Sequence, residues 1–592
     1  MTPPPPSSHG YLVVRRRWNC ASDGHLDEAL ARLELEGWKT AVKTRDLQVL
    51  LGPTSRLQVS ALGDAGVMIG DYYAQGRRTA PSPPASLETA SCAARRLIRS
   101  GWGRYVMVWL NAAGELHILR DPSGALDAVH WTSNATTFVA AEPPESLDDW
   151  LPPSTTIDWD RLIAFRQSPA LAYDALALSH IDPVLPGVLL SSGASGVSRE
   201  VSWRPADHAR PTEASSQPET DGLLDVVDTT IAALAGGHAC LVGEISGGFD
   251  SAVVASSWTH SGSRSVQTWL NYHADSPESD ERRYAQDLAR QWSLSLTTRP
   301  KPVASLQPEQ LAPLGDSIRP SFHGLDPAYD ADAAAQIRAV GATGLLTGQG
   351  GDAVFFQYPT PAIAADRVDR LGLAGLSIPF VVDTARWTRA TVWSVAGVGL
   401  RHRLGRRQQK GLRLDPYASA PQRHGWLDGI DHLPPAKRGQ IAQLMNCQIF
   451  QGDCLRARAA DLIHPLLCQP VVEHCLSTPA DVATIGGVDR GLARRAFRSR
   501  LPESISNRTG KGEMSTFYGQ TVLASLPLLA DLLQNGRLVD QGVLAPAELD
   551  ALVDENTLIW SGYYNVVLIA AALEVWVRNW ERRLARRRHV SV

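Results

Sequence analysis

The sequence is poor in the residues that staple a chain or carry it through a bilayer. Seven cysteines in 592 residues is sparse, and the number is odd. That fits a reducing, cytoplasmic compartment better than a disulfide framework. An excess of one charge is missing too, since 57 Lys and Arg stand against 61 Asp and Glu. With no global basic surplus, a nucleic-acid partner is not expected. Long apolar runs are absent. The most apolar stretch, VVLIAAALEVWV at 566–577, is too short to span and contains Glu574. It reads as a buried helix, so no membrane partner is expected. The opening MTPPPPSSHG is proline-rich with no apolar h-region, so no signal peptide is expected. No internal repeat is visible.

What is present is an ordinary globular composition, 44% apolar, on a length that allows two to four domains. The segment RPADHARPTEASSQPET at 204–220 is rich in Pro, Ser, Thr and charge. It reads as a linker over 206–220 that divides a first unit, 1–205, from a second, 221–592. Before it lie β-type segments, YLVV, LQVSAL, RYVMVWLN and ELHILRD. After it strands and helices alternate, which predicts an α/β unit with a parallel sheet. Strands are expected at 240–246, 265–273, LSLTT and 344–348. Helices are expected over DSAVVASSWTHSG and after Ser279.

The first of these strands runs into SGGFDS, residues 246–251. Alone, this serves either a tight strand-to-helix turn or a phosphate cradle. Gly247 and Gly248 let backbone N–H groups approach a ligand, and the following helix aims its positive end at the same spot. Ser246 and Ser251 add hydroxyls. Asp250 repels a bare phosphate, and makes sense there if Mg²⁺ bridges it to the phosphate oxygens. No Lys-Ser/Thr pair follows, so this is not a Walker A loop.

SGGFDS resembles the pyrophosphate loop of ATP pyrophosphatases. Further segments, in order, resemble the asparagine synthetase superfamily. They are ESDERRYAQDLA (278–289), LLTGQGGDAVFFQY (345–358), IHPLLCQPVVEHCL (463–476), the stretch 489–515 ending TGKGEMS, and ALEVWVRNW (572–580). The resemblance covers about 220–585. It implies an ATP-pyrophosphatase-type α/β synthetase domain using ATP and Mg²⁺. Asp250 and Asp352 would hold Mg²⁺ and pyrophosphate, together with the 246–251 loop and Gly350 and Gly351. Ile245, Leu270, Thr347 and Gly348 would contact the nucleotide. Lys511 would be catalytic, steadying the phosphates and the charge that develops during acyl transfer. One departure is Asp352-Ala353, where the family has Asp-Glu. No base for the amine is assigned; Tyr358, Glu473, Glu513 and His323 are candidates.

In the first half, WGRYVMVWLNAAGELHILRDPSGALDAVHW (102–131) resembles strands of the family's glutaminase domain, with Arg120, Asp121 and Gly124 in place. Family members begin Met-Cys, and that cysteine is the nucleophile; this sequence begins Met-Thr-Pro, and Cys20 and Cys92 are internal. The expectation is an Ntn-hydrolase (glutaminase)-like β-sandwich that has lost its nucleophile. Superfamily members with an inactive first domain join an amine and a carboxylate of one substrate. RPSFHGLDPA (319–328) and the basic insertion at 401–416 look most like lasso peptide cyclases. That resemblance implies a linear core peptide as substrate, a macrolactam product, and a leader-binding recognition protein and leader peptidase as partners. The alternatives are a β-lactam synthetase-like or ammonia-dependent asparagine synthetase, and a non-catalytic peptide-binding scaffold. The insertion reads either as a solvated loop or as a docking surface for an acidic partner. Cys447/Cys454 and Cys468/Cys475, each seven apart, read as one face of a packed helix.

Overall fold

A computed structural model describes residues 9–16, 24–85, 88–194, 196–210, 220–263, 265–274, 279–405, 424–508, 510, 512, 514–552, 558 and 563–587. In the first half two antiparallel sheets stack face to face. One runs Asp182–Pro183, Val129–Ser133, Thr136–Ala140, Tyr11–Arg15, Leu47–Leu51, Lys39–Lys43. The other runs Gly196–Val201, Val188–Gly193, Leu116–Arg120, Trp102–Leu110, Gly66–Ala74, Val59–Ala61. Tyr11, Val13, Val67, Ile69, Val106 and Val108 fill the space between them. On the outer faces, Leu12 and Val14 share a core with Leu26 and Leu30 of helix Gly24–Leu35, and Met68 and Met107 share one with Leu97 and Ile98 of helix Ala90–Ser100. This four-layer arrangement explains why YLVV is apolar at every position: both faces of its strand are covered.

The Arg120-Asp121-x-x-Gly124 motif pins the turn after the Leu116–Arg120 strand. Arg120 donates to the carbonyls of Leu126 (2.7 Å), Val184 (3.0 Å) and Gly124 (2.7 Å). Asp121 accepts from the N–H groups of Ser123 (2.9 Å) and Gly124 (3.0 Å).

The second half is built on a five-stranded sheet, parallel throughout. Its order is Leu296–Pro300, Val266–His273, Leu241–Glu244, Gly344–Leu346, Asp461–Ile463. Four of these strands match the sequence expectation. The fifth, three residues long, carries too little pattern to be read locally. The apolar stretch at 566–577 lies within helix Tyr564–Arg586, buried as expected. Glu574 is fully buried there and accepts from the N–H groups of Arg537 (2.9 Å) and Leu538 (3.0 Å), capping the earlier helix Arg537–Asp540. The same helix ties the halves together through Arg583 and Asp148 (2.6 Å).

The reading of the cysteine pairs is corrected in part. Cys447 lies in a 3-10 turn, Cys447–Gln451, and Cys454 precedes helix Leu455–Ala459. They share no helix, because Gly452 and Asp453 break the chain between them. Among the described residues no helix is long and apolar enough to cross a membrane. Most of the basic insertion, residues 406–416, and part of the linker, 211–219, lie outside the described residues.

Candidate active site

The Leu241–Glu244 and Gly344–Leu346 strands are neighbours, and from them the sheet is wound outward in opposite directions. Loops leaving the carboxyl ends of such a pair diverge and open a crevice. Here they are 246–251 and 347–352, and a cavity of about 1400 Å³ lies over them. Ser246, Gly248, Asp250, Ser251, Thr347, Gly348, Gly350, Gly351 and Asp352 all line it. Ile245 and Leu270 do not. Their side chains are buried in cores, and the Ile245 N–H donates to the Leu270 carbonyl at 2.9 Å.

The first loop is held by its own hydroxyls. The Ser246 N–H donates to Ser251 Oγ (3.2 Å), and the Gly248 N–H donates to Ser246 Oγ (3.1 Å). Gly247 sits at φ +95°, a conformation that favours glycine, and a Cβ there would lie 2.6 Å from the Glu281 carbonyl. Helix Phe249–His260 starts at Gly248 with no side-chain cap, so its first N–H groups face the cavity end of the loop. The second loop presses directly on this helix: a Cβ on Gly348 would lie 2.4 Å from the Ser251 nitrogen.

Arg490 joins the two acids. Its Nε donates to Asp250 Oδ1 at 2.9 Å and its Nη2 to Asp250 Oδ2 at 2.8 Å, while Nη2 also bonds Asp352. Its Nη1 bonds Asp489 at 2.5 Å. Burial pushes the Asp250 carboxyl above the usual range; Arg490 pulls it back, and Asp352 adds to the rise. Arg386, Arg389, Arg494 and Arg508 also line the cavity, which suits a polyphosphate. Two carboxylates already gathered on one cation fit a hard divalent ion whose other positions come from phosphate and water. Among the described residues no group of three His, Cys, Asp or Glu could hold a metal unaided.

Lys511 and Glu513 lie outside the described residues. Their described neighbours are anchored by Glu281, which pairs with Arg508 (2.5 Å) and accepts the Gly512 N–H (2.7 Å). Arg508 also donates to the Gly247 carbonyl at 3.3 Å. Of the other base candidates, Tyr358 lines the cavity. Glu473 is engaged with the Trp203 indole (2.7 Å) and Gln469 (2.8 Å). His323 backs Gln349 at 3.5 Å. Behind Thr347 is His464. Its Nε2 lies 3.1 Å from the Phe450 carbonyl and therefore carries the proton, leaving Nδ1 to accept from the Thr347 hydroxyl at 2.7 Å. Burial lowers His464 to about 4, so the ring is neutral.

Sequence reasoning missed Glu244, which lines the cavity. Tyr329 donates to it, and Arg456 donates to the Tyr329 oxygen at 2.5 Å. Burial raises the Glu244 carboxyl, and Arg456 opposes the rise. It missed Arg490 as well, one of several arginines in its stretch with no local mark to set it apart.

The family description "Asparagine synthase" matches residues 241–578, which takes in both loops, Arg490 and the whole parallel sheet. The chain belongs to the asparagine synthase family. Asparagine synthase family enzymes form amide bonds in ATP-dependent reactions with Mg²⁺, and the crevice at the strand ends lies within the matched region. A search of curated proteins returns no match. Two solved structures are similar at 10% identity, each over 50% of this chain. One is an allosteric regulatory enzyme of purine biosynthesis, with 76% of that chain covered and a TM-score of 0.19. The other is glutamine phosphoribosylpyrophosphate amidotransferase from B. subtilis, with 77% covered and a TM-score of 0.18.

Proposed function

We propose that this asparagine synthase family member closes a ring in a peptide, joining an Asp or Glu side-chain carboxylate to the peptide's own amino terminus. The observation that carries the reading is the size and wall of the cavity. At about 1400 Å³ it exceeds the ~300–1,000 Å³ of a small-ligand site. That leaves room for a nucleotide and a peptide segment together, where a free amino acid would need far less.

In the first step a carboxylate oxygen of the peptide attacks the α-phosphorus of ATP. The bond between that phosphorus and the bridging oxygen to the β-phosphorus breaks, and pyrophosphate leaves. In the second, the amine nitrogen attacks the acyl carbon, AMP leaves, and the amine gives up a proton. The 246–251 loop and the amino end of helix Phe249–His260 receive the pyrophosphate. Asp250 and Asp352 would hold Mg²⁺, which when bound neutralises that leaving group. Thr347 and Gly348 contact the nucleotide, Ile245 and Leu270 support the strand ends beneath it from the core, and Lys511 steadies charge during acyl transfer. Holding both peptide groups in one cavity turns a poor encounter into a near-attack geometry. The first half acts as a glutaminase-like shell without glutaminase chemistry. Cys92, the one described cysteine there, is exposed on helix Ala90–Ser100 and outside the sandwich interior. A leader-binding protein and a leader peptidase would supply the substrate.

The test is ATP–pyrophosphate exchange with synthetic peptides bearing a free amino terminus and an internal Asp or Glu. The expected result is exchange, one AMP per product and loss of one water. Acetylating the amino terminus should stop the product and spare the exchange. Exchange driven by free aspartate with ammonia, or glutamine hydrolysis above background, would overturn the reading.

A further inference from the structure

Beside the cavity mouth stands a helical hairpin with an uncovered apolar stripe. Helices Ile378–Thr388 and Val392–Arg403 are joined by three residues, and Arg386, Trp387, Thr388 and Arg389 form part of the cavity wall. On the second helix Val395 is fully buried, and Gly399 packs against Leu376 and Val368. Trp393, Gly397, Leu400 and Leu404 fall on the opposite side, at the i, i+4, i+7, i+11 spacing of a single seam. Trp393 is 83% exposed, Leu404 70% and Leu400 44%, and Ile378 of the first helix is 80% exposed. Large apolar side chains aligned like this in water mark a contact surface.

Charge tells what covers it. From Thr384 to Gly405 the sequence has no Asp or Glu and four Arg. Arg386, Arg389 and Arg403 are exposed, and Arg401 lies over Gly397 within the stripe. Two acids of the hairpin region are engaged with its own cations, Asp369 with His402 (2.8 Å) and Asp383 with Arg386 (4.0 Å). A second copy meeting this face symmetrically would set arginine against arginine. The chain's own 406–413 segment carries the same sign of charge as the hairpin. On the second helix Trp393, Leu400 and Leu404 line up as one stripe, the width that fits a single helix.

We propose that this stripe docks an acidic helix with an apolar seam, contributed by a partner polypeptide, and holds it beside the cavity mouth. The assignment stands whatever acyl group the cavity takes.

The probe is a fluorescein-labelled synthetic helix with leucines at seam positions and glutamates elsewhere, titrated with the full chain by anisotropy. A control carries lysine for glutamate. The expected result is binding of the acidic helix that weakens with salt, and no binding of the control. Trp393→Ser with Leu404→Ser should weaken it about tenfold or more, and Arg401→Glu with Arg403→Glu should do so with the seam intact. Unchanged circular dichroism and thermal midpoints exclude misfolding. Failure of the acidic helix to bind, or equal binding of both helices, overturns the proposal. So does a dimer by light scattering that Trp393→Ser dissociates, since a second copy then covers the face. Binding that appears only on deleting 406–423 means the chain covers its own stripe, and binding of anionic vesicles lost with Trp393→Ser means a membrane does. Either outcome overturns it.

Discussion

Arg490 and Asp250, 240 positions apart in the chain, meet through two hydrogen bonds of 2.9 and 2.8 Å, and the same guanidinium reaches Asp352. Both acidic loops of the crevice are thus held by a residue on neither. Removing it leaves Asp250 buried and uncompensated. Arg490→Ala is expected to destabilise by about 3 kcal/mol, read as a urea midpoint. Asp352→Ala should cost less, because that side chain is 48% exposed. Equal losses would mean that the pairing with Asp250 is not what matters.

Asp250→Asn keeps the shape of the side chain and removes its charge. Exchange of pyrophosphate into ATP should fall by about a hundredfold or more, while the circular dichroism spectrum stays as it was. Wild-type exchange in this variant would remove Asp250 from the proposed chemistry.

The two loops touch where Gly348 meets Ser251, with 2.4 Å available to a Cβ. Gly348→Ala must push 347–352 away from the start of helix Phe249–His260, since the obstacle is backbone. The expected outcome is loss of exchange with the overall fold retained. Gly262→Ala is the control. It changes a glycine at φ +78°, where a Cβ meets nothing within 4 Å. It should lower stability slightly and spare exchange.

Glu142 gives a pH prediction. It lines a small cavity of about 70 Å³ with Asp127, Arg319 and Asp453. Burial, with Asp453 adding, raises its carboxyl to about 8, against Arg583 and Arg458. The folded chain therefore holds this proton more tightly than the unfolded chain. Between the ordinary glutamate value of about 4.3 and about 8, the native state binds more protons, so stability falls as pH rises. Glu142→Gln should flatten that slope and raise the thermal midpoint at pH 8 relative to wild type. A midpoint difference that does not change with pH would show that Glu142 is not the group responsible.

Much of the site could be read before any fold was known, because its parts are local. SGGFDS followed a strand and opened a helix, and GQGGD followed another strand; both now line one crevice. Glu281, inside the family-like segment 278–289, proved to be the anchor of Arg508 and Gly512. Arg490, and the Tyr329 and Arg456 that stand behind Glu244, were not legible, since nothing in their neighbourhoods sets them apart.

By itself the sequence determined the alternation of strands and helices, the glycine-rich turns and the acids placed on them. Hydrophobic period and backbone freedom are properties of a few consecutive residues, so they are written locally. The tertiary structure alone decided the order of the five strands, which puts two loops a hundred residues apart at one reversal point. It alone decided that Arg490 rather than a nearby arginine serves both acids, and that the Trp393 seam stays in water. Those outcomes depend on which surfaces pack against which across the whole chain, and no window of sequence contains them.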